Sequence, residues 1–289
     1  MSIDAYTYNV ATPDQAKILK EEIITINEEI ETAAGGFWLD KDTQAKNCIE
    51  KYILDTYPKV IKDANINESQ VVGFEWWDHY TTNATNVVDI HFDCDEAESN
   101  SKGKVKMLTP LRATVTYLAE PNDAPTAIFG IKQETPEISH VSDNVQNVVY
   151  SYPKIGKFLS FDGSYMHGVF PPKKPITRMT LMYNIWGHRL PTKIDHYENS
   201  EKYGEAVAAE GSRDRCPYES SNANIQFDID NMEKETPIFE QTSKETHGVV
   251  DIRYHHKYFR AKTHIPFRKN KGENNLIEIE CNNEVIKNV

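Results

Sequence analysis

His91-Phe92-Asp93, followed far downstream by His167, is a set of side chains able to hold one metal ion. Two imidazoles and one carboxylate can occupy one face of an iron(II) centre, leaving the remaining positions open to a co-substrate, dioxygen and water. In a strand, residues two apart point to the same side, so the His-x-Asp spacing lets both side chains grip the same ion. Farther on, Arg178 and Thr180 are again two apart. On one face of a strand they put a cation beside a hydroxyl, which suits a terminal carboxylate.

These residues need elements to carry them. The run Asn86 to Ile90 ends directly against His91. As a strand it sends Val88, Ile90 and Phe92 to one face and Asp89, His91 and Asp93 to the other, one face core and one face site. Asp95 and Glu96 open a polar stretch and read as a solvated turn that ends this strand. Around the second His, Phe158 to Phe161 form a short apolar strand, and Asp162-Gly163 turns the chain just before His167. Past Pro171-Pro172, the run from Arg178 to Trp186 is long enough to cross a sheet.

In order along the chain stand the His-x-Asp strand, Thr-Val-Thr-Tyr-Leu at 114–118, Pro-Thr-Ala-Ile-Phe at 125–129, Pro-x-x-Gly-Lys at 153–157, the distal His167 and Arg-x-Thr at 178–180. Over about Gly73 to Pro191 the chain therefore resembles the iron(II)/2-oxoglutarate-dependent oxygenases, in particular their prolyl-4-hydroxylase-like branch. The resemblance implies a mostly β fold whose core is a double-stranded β-helix, or jelly-roll, with a metal between two opposed sheets. It implies that His91, Asp93 and His167 bind Fe(II) and form the catalytic centre. Arg178, with Thr180 and Tyr117, would hold 2-oxoglutarate, and dioxygen would be the second co-substrate. The implied activity is that of a dioxygenase that oxidises an unactivated C–H bond, hydroxylation being the commonest outcome. Desaturation, oxidative cyclisation of the kainoid-synthase kind and peptidyl hydroxylation stay open as alternatives. So does a jelly-roll protein that binds without turnover. Asp93 disfavours halogenation, since halogenases resembling this family lack that carboxylate.

A chain of 289 residues with 39% hydrophobic content suits one catalytic domain, divided here into helical support (1–70), jelly-roll core (71–190) and a C-terminal extension (191–289). Thr12-Pro13-Asp14-Gln15 reads as a helix start with Thr12 as N-cap and Gln15 completing a capping box. Ile18, Leu19, Ile23, Ile26 and Ile30 give that helix its apolar side, and Gly35-Gly36 stops it. A second helix is expected from about Asp42 to Thr56, with Pro58 beyond its end. Trp76 and Trp77 precede the metal strand; adjacent strand residues point to opposite faces, so one belongs to the core and the other to a substrate-lining surface.

In the extension, the polar stretch 196–245 suggests loop with one short helix near Glu201 to Ala209, and is long enough to fold as a lid over the site. Arg253, Lys257 and Arg260 make a basic segment in an acidic chain, either to recognise an anionic small-molecule substrate or to guard an edge strand. The net charge of -12 argues against a nucleic-acid partner. Cys48, Cys94, Cys216 and Cys281 form no C-x-x-C pair, and no basic leader or membrane-length apolar run is present, so the expectation is a protein of the reducing cytoplasm without a membrane contact. The sequence leaves the oligomeric state open.

Overall fold

The computed structural model describes residues 2–30, 36–84, 90–95, 108–122, 124–132, 144–169, 172, 174–190, 214–227, 232–239, 247–254, 257–264 and 276–287. The strands are β1 (Ala5–Asn9), β2 (Phe37–Asp40), β3 (Gly73–Ala84), β4 (Arg112–Tyr117), β5 (Thr126–Lys132), β6 (Asn144–Ser151), β7 (Lys157–Asp162), β8 (Tyr165–Val169), β9 (Ile176–Trp186), β10 (Ile238–Phe239), β11 (His247–Tyr254), β12 (Lys257–His264) and β13 (Leu276–Lys287). Two helices, α1 (Pro13–Glu29) and α2 (Cys48–Asp63), precede β3. One sheet runs β1-β7-β4-β9-β3-β2, and the other runs β11-β12-β13-β6-β5-β8. The segment at His91 adds itself to the second sheet beside β8 through a bridge to His167. From β3 onward the chain therefore visits first sheet, second, first, second, second, first, second, first. That winding is the expected double-stranded β-helix.

Alternation along the strands makes two apolar layers. On the outer face of the first sheet, Phe74, Trp76, Met179, Leu181, Tyr183 and Phe158 pack with Leu19, Ile23 and Ile26 of α1 and Ile49, Tyr52, Ile53 and Val60 of α2. On its inner face, Ala113, Val115, Tyr117, Leu159 and Phe161 meet Ile128 and Val149 of the second sheet. Each fully buried large apolar side chain contributes about 1.5–3 kcal/mol, so the two layers hold the sheet rigid from both sides.

The helix α1 starts as expected: Gln15 N–H donates to Thr12 Oγ1 at 3.3 Å and Thr12 N–H donates to Gln15 Oε1 at 2.9 Å. It ends at Ile30, ahead of the Gly pair. The second helix differs from the sequence expectation at both ends. Asn47 caps it by accepting from Glu50 N–H at 2.9 Å, and Pro58 lies inside it. Burial of Tyr57, Val60 and Ile61 past the proline continues the apolar stripe. Tertiary packing thus overrides the loss of one hydrogen bond, a cost of about 3 kcal/mol.

The N-terminal support contributes strands as well as helices. β1 pairs with β7 and β2 pairs with β3, closing both edges of the first sheet. In the extension, residues 214–227 lie against the helices: Arg215 forks onto buried Glu50, donating from Nε at 3.0 Å and from Nη2 at 2.6 Å. Phe227 meets the Tyr52 ring edge-on at 4.9 Å. The strand β13 pairs with β6 and so prolongs the second sheet. The helix expected near Glu201 to Ala209, and most of the stretch read as a lid, lie outside the described residues. Among the described residues no helix is long and apolar enough to cross a membrane.

Candidate active site

The His pair is made by register. His91 N–H donates to the His167 carbonyl at 2.8 Å and His167 N–H donates to the His91 carbonyl at 2.9 Å. Such a doubly bonded antiparallel pair puts both side chains on one face, with Cα atoms about 5.5 Å apart; the ring centroids are 4.6 Å apart. A tight turn delivers His167 to this register. Asp162 Oδ1 accepts from Ser164 N–H at 2.9 Å, and a Cβ on Gly163 would lie 2.3 Å from the Pro110 carbonyl oxygen, so only glycine fits there.

Asp93 completes the cluster. Its Oδ1 lies 3.3 Å from His91 Nε2 and its Oδ2 lies 3.5 Å from His167 Nε2. One ligand atom from each of the three side chains falls within 4.8 Å of the others. His167 Nδ1 faces the Tyr165 carbonyl at 3.1 Å, which assigns its proton to Nδ1 and leaves Nε2 free as a donor atom toward the centre. Burial pushes the His167 pKa down against the pull of Asp93, so the ring is neutral, the form that binds a metal. Burial alone would raise Asp93; the two imidazoles and the Asn184 amide outweigh it and hold the carboxyl well below its ordinary range. The set is two imidazole nitrogens and one anionic oxygen on one side of a point, which fits iron(II) with open positions opposite.

The segment bearing Asp93 departs from the expected strand. Residues 86–89 lie outside the described ones, and beyond the bridge at His91 the described residues 92–95 form no further ladder. Nor is Asp95 a solvated turn residue: it is buried, accepts from His188 Nε2 at 2.9 Å, and its N–H donates to the Leu108 carbonyl at 2.8 Å. The polar run after it misled the sequence reading, because the partner that permits burial, His188, comes from the segment just past β9.

Arg178, Thr180, Met182 and Asn184 follow one another along the inner face of β9. At one end, Asn184 Nδ2 donates to Asp93 Oδ2 at 3.0 Å. At the other, the Arg178 guanidinium reaches the start of β5, with Nη1 3.3 Å from the Ala124 carbonyl and Nη2 3.3 Å from Thr126 Oγ1. Thr126 is two positions along β5 from Ile128, which pairs with His167. The cation and the His–Asp–His cluster thus meet the same strand about 7 Å apart. Arg178 is only 2% exposed, its Nε is buried without a protein partner, and among the described residues no carboxylate pairs with it. Burial lowers its pKa, with Tyr117 opposing, yet a guanidinium keeps its charge. A buried, unpaired cation costs several kcal/mol, and an anion between the sheets removes that cost.

Two of the residues proposed from sequence are placed differently. Tyr117 is in the site wall with its ring 5.7 Å from the Arg178 guanidinium, but its hydroxyl donates to Thr126 Oγ1 at 2.9 Å and approaches the Ser151 carbonyl at 3.1 Å. Its donor is spent within the protein. Trp76 faces the helices and stacks on Phe37 at 4.7 Å, on the wrong side of the sheet for a ligand. Trp77, opposite Met182, has the inner face. In the β11–β12 pair Arg253 lies opposite Tyr258, Lys257 opposite Tyr254 and Arg260 opposite Asp251. Their side chains lie outside the described residues. Four strand spacings, about 19 Å, separate β12 from the strand of His167 in the sheet order.

Sequence reasoning missed Asn184, His188 and His79. Asn184 was findable: it continues the every-second-residue row that begins at Arg178. The other two carry no local signal.

No family model and no curated protein matches the chain. Solved structures similar to it include a Pseudomonas putida prolyl-4-hydroxylase, at 14% identity over 65% of this chain and 90% of that one, with a TM-score of 0.42. HygX from Streptomyces hygroscopicus with iron bound is similar at 11% identity over 73% of this chain and 94% of that one, TM-score 0.40. EctD from S. alaskensis in its apoform is similar at 14% identity over 75% and 82%, TM-score 0.40. Likenesses at these scores assign neither family nor activity.

Proposed function

We propose that this protein is an iron(II)/2-oxoglutarate-dependent dioxygenase acting on a small molecule. The observation that carries this reading is the buried, unpaired Arg178 guanidinium beside a His91–Asp93–His167 cluster, both facing the space between the two sheets. A metal-binding module has no use for the first, and a zinc hydrolase site built from the same ligand types leaves it unexplained. Bound iron(II) with 2-oxoglutarate would activate dioxygen, which is the oxidant for cleaving an unactivated C–H bond. The chain's own residues do the rest. His91, Asp93 and His167 fix three positions on one side of the ion, and Arg178 takes the far carboxylate of the co-substrate. Met182 and Trp77 keep the adjoining wall apolar, which excludes water from the reacting centre. Asp93 occupies the position that a halide would need, so oxygen insertion is favoured over halogenation. We read the outcome as hydroxylation, and the chain as one catalytic unit, because β1 and β2 close the edges of the first sheet and β13 extends the second.

Aerobic incubation with Fe(II) and 2-oxoglutarate tests the reading. Succinate formation that depends on iron, and is lost in His167→Ala while circular dichroism is unchanged, is the expected result. No iron-dependent succinate from the wild-type protein, even with a broad set of candidate small molecules, overturns it.

A further inference from the structure

The space between the sheets collects buried polar atoms that no group among the described residues satisfies: Arg178 Nε, His79 Nδ1 and Thr81 Oγ1 from the first sheet and Ser151 Oγ from β6 of the second. Buried polar groups without partners are rare enough that each needs a reason, and these belong to neighbouring positions. On β3, Thr81 pairs with Arg178 and His79 pairs with Thr180, which puts both side chains on the same face as the guanidinium. Ser151 pairs with Thr126, the residue that Arg178 Nη2 approaches. The residues that the family resemblance nominates as helpers of Arg178 are less available. The Tyr117 hydroxyl is committed to Thr126 and the Ser151 carbonyl. The Thr180 hydroxyl lies 3.9 Å from Met182 Sδ, a weak acceptor.

We propose that His79 is the second side chain that grips the carboxylate bound by Arg178, donating from Nδ1, with Thr81 as an additional hydroxyl donor. The inference rests on the oxygenase reading above and goes beyond it by assigning the co-substrate anchor to a His–Arg pair on adjacent strands. Two donors in one low-dielectric wall favour a carboxylate over a neutral terminus and set the length of diacid that also reaches the metal cluster. Electrostatics agree with the geometry. Burial and then the charge of Arg178 hold the His79 pKa below its ordinary value, so the free protein carries a neutral ring at neutral pH. The charged group acting on it is Arg178 from β9; Tyr117, which faces Thr180 from β4, is kept neutral by burial. A carboxylate delivered against His79 stabilises its protonated form. Affinity therefore rises as pH falls through the pKa of the complex, and levels off below the pKa of the free protein.

The test is anaerobic calorimetric titration of 2-oxoglutarate into the Fe(II)-loaded protein, for wild type, His79→Phe and His79→Gln, between about pH 8 and about pH 6, where imidazoles titrate. His79→Phe is expected to weaken binding about ten-fold, the loss of one hydrogen bond to a charged group. His79→Gln, which keeps a donor, recovers part of the loss. The affinity gain toward low pH is expected in wild type and absent from both variants, with Fe(II) affinity equal in all three. Wild-type protein that binds 2-oxoglutarate while both variants match its affinity and its pH profile overturns the His79 assignment and leaves the oxygenase reading standing. Wild-type protein that binds no 2-oxoglutarate overturns the oxygenase reading itself.

Discussion

Asp93 shows how a single ligand is aimed. Its Oδ2 accepts from the Asn184 amide at 3.0 Å, and that amide stands on a central strand of the first sheet, between β3 and β4. The bond fixes the carboxylate plane and leaves Oδ1 turned toward His91. Groups that orient metal ligands in this way are worth about 10–100-fold in metal affinity. Asn184→Ala is accordingly expected to weaken Fe(II) binding within that range, read by competition with a chelator of known affinity; unchanged affinity would mean that Asp93 is held by its own loop. The four residues with the strongest chemistry, His91, Asp93, His167 and Arg178, were legible in the sequence because type, spacing and order all bear on them. Asn184 could have been read from the every-second-residue row that begins at Arg178, whereas His79 and His188 carry no mark of the face or partner they take until the register is known. The same blindness misread Asp95, whose partner His188 lies far along the chain.

At the scale of elements, buried carboxylates tie the N-terminal layer to the extension. Glu22 of α1 accepts from Cys48 N–H at 2.6 Å at the start of α2, and from Ser220 and Asn222 at 2.9 and 3.0 Å. Glu50 of α2 is fully buried and takes the Arg215 fork. A sequence pattern showed where the helices lie on average but not these links, which join residues far apart in the chain. Pro58 misplaced the end of α2 for a related reason: local chemistry marks proline as a stop, while the buried side chains beyond it keep the helix going. Arg215→Ala leaves the Glu50 carboxylate buried and unpaired, and is expected to cost about 3 kcal/mol of stability. Urea denaturation followed by circular dichroism measures this, and a midpoint within error of wild type would show that Glu50 finds water or another donor once the Arg is gone.

For the whole molecule, two sheets are built so that one face of one strand, β9, contacts both ends of the site: Asn184 at the metal cluster and Arg178 at the anion. The jelly-roll expectation comes from the family resemblance carried by the ordered motifs, with which the run of short strands is consistent. The edge strands β1 and β2 escaped it, since short pieces beside a helix have little periodicity to read. The extension is where the sequence carried least, and the described part of it prolongs the second sheet and braces the helices. The central claim is that the His–Asp–His cluster and Arg178 act on one bound molecule. Anaerobic visible absorption tests this most directly, because 2-oxoglutarate chelating Fe(II) gives a charge-transfer band that neither gives alone. The band is expected with wild-type protein, Fe(II) and 2-oxoglutarate together, to be absent in His167→Ala, and to need more 2-oxoglutarate in Arg178→Ala by about 2–5 kcal/mol of binding free energy, the usual cost of leaving a buried charge without its partner. A wild-type protein without the band, or an Arg178→Ala variant that saturates at the same concentration as wild type, would contradict it.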